Sequence, residues 1–80
     1  MTLMAEVRSA AWEEGNVAGA DDCSIWLDIV EERRHNGYRA NYRLVRTRNP
    51  YEPGTLDHAD WGLGYERGWQ EVRDQARERR

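Results

Sequence analysis

The chain has no lysine and no phenylalanine, one cysteine and two prolines in 80 residues. Each shortage excludes something. A lone Cys23 permits no internal disulfide, which fits a cytoplasmic setting. No apolar run approaches the ~20 residues that cross a bilayer, and no signal peptide opens the chain, so no membrane role is expected. Without lysine, the glycines cannot form a phosphate-binding loop of the Gly-Lys-Ser/Thr type. Without phenylalanine, four Trp and four Tyr must supply much of a small core.

What is present is charge, in blocks. Residues 1–32 carry eight acids against Arg8, and residues 33–48 carry six arginines and no acid. Residues 49–74 turn acidic again, and the whole chain sums to −3. Such alternation hides strong local fields behind a modest total.

The sequence predicts an α+β fold of order α-β-β-α in one domain spanning 1–80. A first helix is expected over about 3–18, with Thr2 as N-cap, Gly19 as the stop, and Leu3, Val7, Ala10, Ala11, Val17 and Ala18 on one side. Asn36-Gly37 then reads as a hairpin turn between strands of about 24–33 and 38–47. That register gathers Ile25, Leu27, Ile29, Tyr38, Ala40, Tyr42 and Leu44 on one face. It puts Trp26, Asp28, Val30, Glu32, Arg39, Asn41, Arg43 and Val45 on the other. A turn-rich loop over 48–56 contains Pro53-Gly54, which suits a type II turn. A second helix is expected over about 58–77, capped by Asp57, with Leu56 and Trp61 forming a hydrophobic staple.

The second helix poses a question. It holds Trp61, Tyr65 and Trp69 at helical spacing, yet also Gly62, Gly64 and Gly68. Each glycine costs roughly 1 kcal/mol relative to alanine in a helix. Gly64 and Gly68 fall on the aromatic face, and the first helix offers Ala11, Gly15 and Ala18. Two notched faces can approach closely while rings flank the contact. Gly62 is off this face and unexplained by it. "WEEGNVAG" (12–19) and "WGLGYERG" (61–68) share Trp-x-x-Gly-x-x-x-Gly, so both helices present like faces.

Gly15, Gly19, Pro50, Tyr51, Gly68, Trp69 and Glu71 resemble the pattern of the ribosome modulation factor family. The resemblance covers about a third of the chain and implies two short helices and binding to ribosomal RNA. The family is basic and lacks a hairpin, whereas this chain is acidic. In length, acidity and layout the chain also resembles the small acidic phage anti-CRISPR proteins, inhibitors of type I effector complexes, type I-C among them. That resemblance is one of kind and implies electrostatics like those of a DNA mimic.

No catalytic set emerges. Cys23, His35 and His58 are scattered, and the paired acids are sequence neighbours that diverge on a helix or strand. Neither enzyme activity, metal nor cofactor is expected. Two surfaces remain. An acidic one, comprising Glu13, Glu14, Asp21, Asp22, Asp28, Glu31 and Glu32 with Trp26 as an apolar anchor, suits a partner complex with a basic nucleic-acid groove, such as CRISPR effector backbone subunits. A basic one around Arg39 and Arg43 suits RNA, but cross-strand pairing with Asp28 and Glu32 is the preferred reading. The expected function is non-enzymatic inhibition of such a complex in the cytoplasm, by a monomer or weak dimer. The alternatives are a ribosome-associated factor and a phage assembly accessory protein.

Overall fold

The computed structural model describes residues 8–36 and 46–78. Two helices, α1 (Ala10–Asn36) and α2 (Leu56–Glu78), make up most of them. A strap over residues 46–55 leads into α2.

The α-β-β-α expectation is corrected. Among the described residues there is no strand, and the segment assigned to the first strand, 24–33, continues α1. Asn36 ends that helix, so it is no hairpin residue. Arg46 and Thr47 lie in the irregular strap, while residues 37–45, including most of the second strand and Arg39 and Arg43, fall outside the described set. The reason is a competition of periods. Ile25, Leu27 and Ile29 alternate as a strand would, but Gly15, Gly19, Cys23 and Trp26 recur at helical spacing. Cys23 is fully buried, whereas Ile25 is 46% exposed. Contact with α2 thus rewards the helical period, and β-branched residues lower helix propensity only slightly.

The caps also differ from expectation. Ser9 caps α1: its hydroxyl accepts from Trp12 N–H at 3.1 Å and donates to Asp60 Oδ2 at 2.8 Å. Thr55, ahead of Asp57, caps α2 by accepting from His58 N–H at 3.1 Å. Each satisfies one of the orphan amides at a helix start. Leu56 is 83% exposed, so it makes no staple, and Val17, assigned to the inner stripe, is 60% exposed. Pro53 and Gly54 sit inside a turn closed by Thr55 N–H to Glu52 C=O at 3.3 Å. Gly54 has φ +89°, a conformation that glycine adopts without steric cost.

The helices lie side by side and run in the same direction. Ser9 meets Asp60 at one end, Gly19 meets Tyr65 further along, and Trp26 meets Trp69 beyond that, with ring centroids 5.7 Å apart. Parallel neighbours require a return path, and the strap supplies its last part. Thr47 is bound at Asp22, and Tyr51 further back at Glu14.

Four glycines make the contact. A Cβ on Gly15 would overlap the Trp61 carbonyl oxygen, and one on Gly19 the Tyr65 carbonyl oxygen. Reciprocally, a Cβ on Gly64 would overlap the Trp12 carbonyl oxygen, and one on Gly68 that of Asn16. One constant sequence offset relates Trp12 to Trp61, Gly15 to Gly64, Asn16 to Tyr65 and Gly19 to Gly68. The pair therefore has a local two-fold pseudosymmetry about an axis along the helices. Small-xxx-small spacing lets helix backbones approach closely, and approach this close favours Cα–H to carbonyl contacts. Gly19 is thus a mid-helix packing residue and not the stop assigned from sequence.

The rings flank this seam. Trp61 and Tyr65 are 5% and 3% exposed and, with Ala11, form the core, on which Ala18, Tyr51 and Trp69 pack. Each buried ring contributes about 1.5–3 kcal/mol. That offsets the ~1 kcal/mol propensity cost of each glycine beside it.

Candidate partner-binding surface

Position on α1 decides which acids face solvent. At 3.6 residues per turn, Glu13, Glu14, Asp21, Asp28 and Glu31 fall within about a third of the helix circumference. All five are exposed. Val17 and Ile25, 60% and 46% exposed, lie among them. The result is an acidic face with two aliphatic side chains on one rigid rod. The side chain of Glu32 lies outside the described set.

Two of the expected surface residues are elsewhere. Asp22 is only 5% exposed. Its Oδ2 accepts from Thr47 N–H at 2.6 Å and from Tyr65 O–H at 2.7 Å, while Oδ1 accepts from Thr47 Oγ1 at 3.1 Å. Asp22 therefore ties the strap to both helices. Trp26 is half-buried against Trp69, so much of its indole packs between the helices. Its Nε1 is buried without an acceptor among the described residues.

Glu14 belongs to the acidic face but also holds the strap, accepting from Tyr51 O–H at 2.7 Å. That hydrogen bond is the main reason the Tyr51 phenol is pushed above its ordinary range. Asn49 fixes the preceding residues. Its Nδ2 donates to His58 C=O at 2.9 Å, and its Oδ1 accepts from Tyr51 N–H at 3.0 Å. Asn49-Pro50-Tyr51 is thus a compact brace that presses Tyr51 onto the helix pair. From sequence it was a turn-rich loop, with Pro50 and Tyr51 also part of the family resemblance. The signal available was Asn followed by Pro, which favours an Asn side-chain turn.

Tyr65 and Cys23 are both held toward their neutral forms. Burial first, then the hydrogen bond to Asp22, pushes the Tyr65 phenol well above its usual value, against the opposing charge of Arg46. Burial raises the Cys23 thiol, with Arg73 pulling the other way. A raised, fully buried thiol is a poor nucleophile. Among the described residues no group of three His, Cys, Asp or Glu side chains is placed to hold a metal ion. Among them, too, no helix is long and apolar enough to cross a membrane.

No family model, no curated protein and no solved structure matches the chain.

Proposed function

We propose that this chain is a non-enzymatic, ribosome-associated factor built on a two-helix plan like that of the ribosome modulation factor family. One observation carries the reading: five of the seven residues of the resemblance converge in space, while Pro50 and Glu71 are exposed. Gly15, Gly19 and Gly68 form the seam, and Tyr51 and Trp69 pack on the core beside it. The hairpin that separated this chain from the family is absent among the described residues. The acidic face of α1 then suits the basic surfaces of ribosomal proteins better than RNA phosphate. Sedimentation of cell extract containing the protein tests it. The expected result is co-migration with ribosomal particles that weakens as salt rises from about 50 to 300 mM, because exposed charges are screened. A chain that stays at the top of the gradient at every salt concentration would refute it.

A second reading is favoured by the acidic face itself. Glu13, Glu14, Asp21, Asp28 and Glu31 stand in fixed positions on one helix. Such a row competes for the cations that grip phosphate. The chain would then inhibit a nucleic-acid-handling complex, such as a type I CRISPR effector, by occupying its basic groove. Here the readout is target-DNA retention by that complex. Loss of retention on adding the protein, reversed by charge-reversing the face, supports this reading. Full retention at saturating protein eliminates it.

A further inference from the structure

Between the start of the strap and α2 lies an open cleft of about 260 Å³ lined by Arg46, Tyr65, Glu66, Trp69, Gln70 and Arg73. It lies away from the acidic face of α1 and plays no part in the function proposed above. We infer that this cleft binds a nucleoside 5′-phosphate, with the phosphate between Arg46 and Arg73 and the base against Trp69.

The cations come first. Arg46 arrives on the strap and Arg73 on α2, so two segments converge two guanidiniums on one opening. Neither forms an ion pair with a described residue, whereas Arg67 is paired with Glu71 at 3.5 Å. The Arg46 guanidinium rests 5.3 Å from the Tyr65 ring centroid, which fixes where it stands before any ligand arrives. Planar, forked donors match phosphate oxygens in pairs.

The apolar wall comes next. Trp69 is half-buried and stands within a row of rings, 6.2 Å from Tyr65 and 5.7 Å from Trp26 between centroids. Those neighbours restrain it, and the part of its indole that lines the cleft is the surface offered to a planar base. Gln70 supplies an amide with both donors and an acceptor for a base edge. Glu66 is the one acid in the lining. It repels phosphate and so directs the charged end of the ligand toward the arginines. The volume is slightly below the ~300 Å³ lower bound of small-molecule sites, so the ribose would face solvent and affinity would be modest.

The same chemistry arises in a free mononucleotide and in the 5′-phosphorylated end of a strand. The test titrates the intact protein with adenosine 5′-monophosphate, adenosine, inorganic phosphate, and a tetranucleotide with and without its 5′-phosphate. The readout is the Trp69 indole N–H resonance at ~50 mM salt, where screening is weak. A saturable shift with the monophosphate, at least about tenfold tighter than with adenosine or phosphate alone, is expected. Arg46→Gln and Arg73→Gln should each weaken it about fivefold or more, and Glu66→Gln should tighten it. All three positions are exposed, so helix content by circular dichroism should stay constant. A response only to the 5′-phosphorylated strand would identify strand ends as the source. Phosphate binding as well as the monophosphate would overturn the inference. So would no saturable shift with either the mononucleotide or the phosphorylated strand, or a shift unchanged in the double arginine variant.

Discussion

On the inner face of α1 there is no room for a methyl group at Gly15 or Gly19, while on its outer face whole carboxylates point into water. The two faces belong to one helix and differ only by rotation about its axis. Inside, identity is dictated by backbone approach, so glycine is required at a cost in helix propensity. Outside, only Glu14 has a structural task, at the Tyr51 hydroxyl, and the choice of the other four acids has no packing reason. A position constrained by packing speaks for the fold. A charged position free of it is open to the partner role proposed above.

The sharpest way to break this contrast is to add one carbon on the inside. Gly15→Ala or Gly64→Ala places a Cβ into a carbonyl of the facing helix. Backbone cannot move aside as a flexible side chain would. Each variant should lose about 3 kcal/mol, the upper end of overpacking costs, even after regaining ~1 kcal/mol of propensity. Thermal unfolding should show the midpoint falling by more than ~10 °C.

The next largest effect concerns Asp22, the acid that sits on the wrong side of α1 to be a surface charge. Asp22→Leu leaves the Tyr65 hydroxyl and the Thr47 amide without their acceptor. Unsatisfied buried donors cost about 1–3 kcal/mol each. Denaturant titration should register roughly 2–4 kcal/mol on that basis, and protease cleavage within the strap should become faster. Unchanged stability would show that the strap is held by other contacts.

Alkaline pH probes the same inner face without mutation. Tyr65 has its folded-state pKa raised above the unfolded value of 10.0, and Cys23 is raised above 9.0. Below those values both states keep the proton, and the full stability is present. As pH rises through 9 and then 10, the unfolded chain releases protons that the folded chain retains, so stability falls. The melting midpoint should therefore decline above about pH 9, with the loss steepening past 10, and Tyr65→Phe should flatten the second part.

Gly62 supplies the control. A Cβ there would meet nothing within 4 Å, although it lies between two seam residues in sequence. Gly62→Ala should raise stability by up to about 1 kcal/mol. Destabilisation there would mean that glycine content, and not helix approach, sets tolerance along α2. The smallest stability change belongs to the outer face: Glu13→Lys, Asp21→Lys, Asp28→Lys and Glu31→Lys together should shift each site within about 0.5 kcal/mol. The same variant should lose partner association, measured by sedimentation or DNA retention.

Much of α2 was readable in advance. Its aromatic stripe at helical spacing and the place of Gly64 and Gly68 on that stripe follow from sequence, and the helix runs Leu56–Glu78 where about 58–77 was expected. For α1 the reading stopped at Gly19, since a glycine after an apolar run is an ordinary helix ending. What lay beyond it looked like alternation and a hairpin turn. Nothing local reveals that Gly19 faces a carbonyl from α2, because that carbonyl belongs to Tyr65, far along the chain. The acids divide similarly. Periodicity groups Glu13, Asp21, Asp28 and Glu31 once the helix is known, but only the strap shows that Asp22 is a buried acceptor.

The sequence by itself determined the spacing of small residues and rings, the charge blocks and the absence of a disulfide, since each is a property of residue order and type. Tertiary structure alone decided that α1 passes through Gly19 to Asn36, that the helices run parallel, and that Asp22 turns inward. Those outcomes depend on contacts between segments remote in sequence. There, close backbone approach and burial outweigh the small local preferences that suggested a strand.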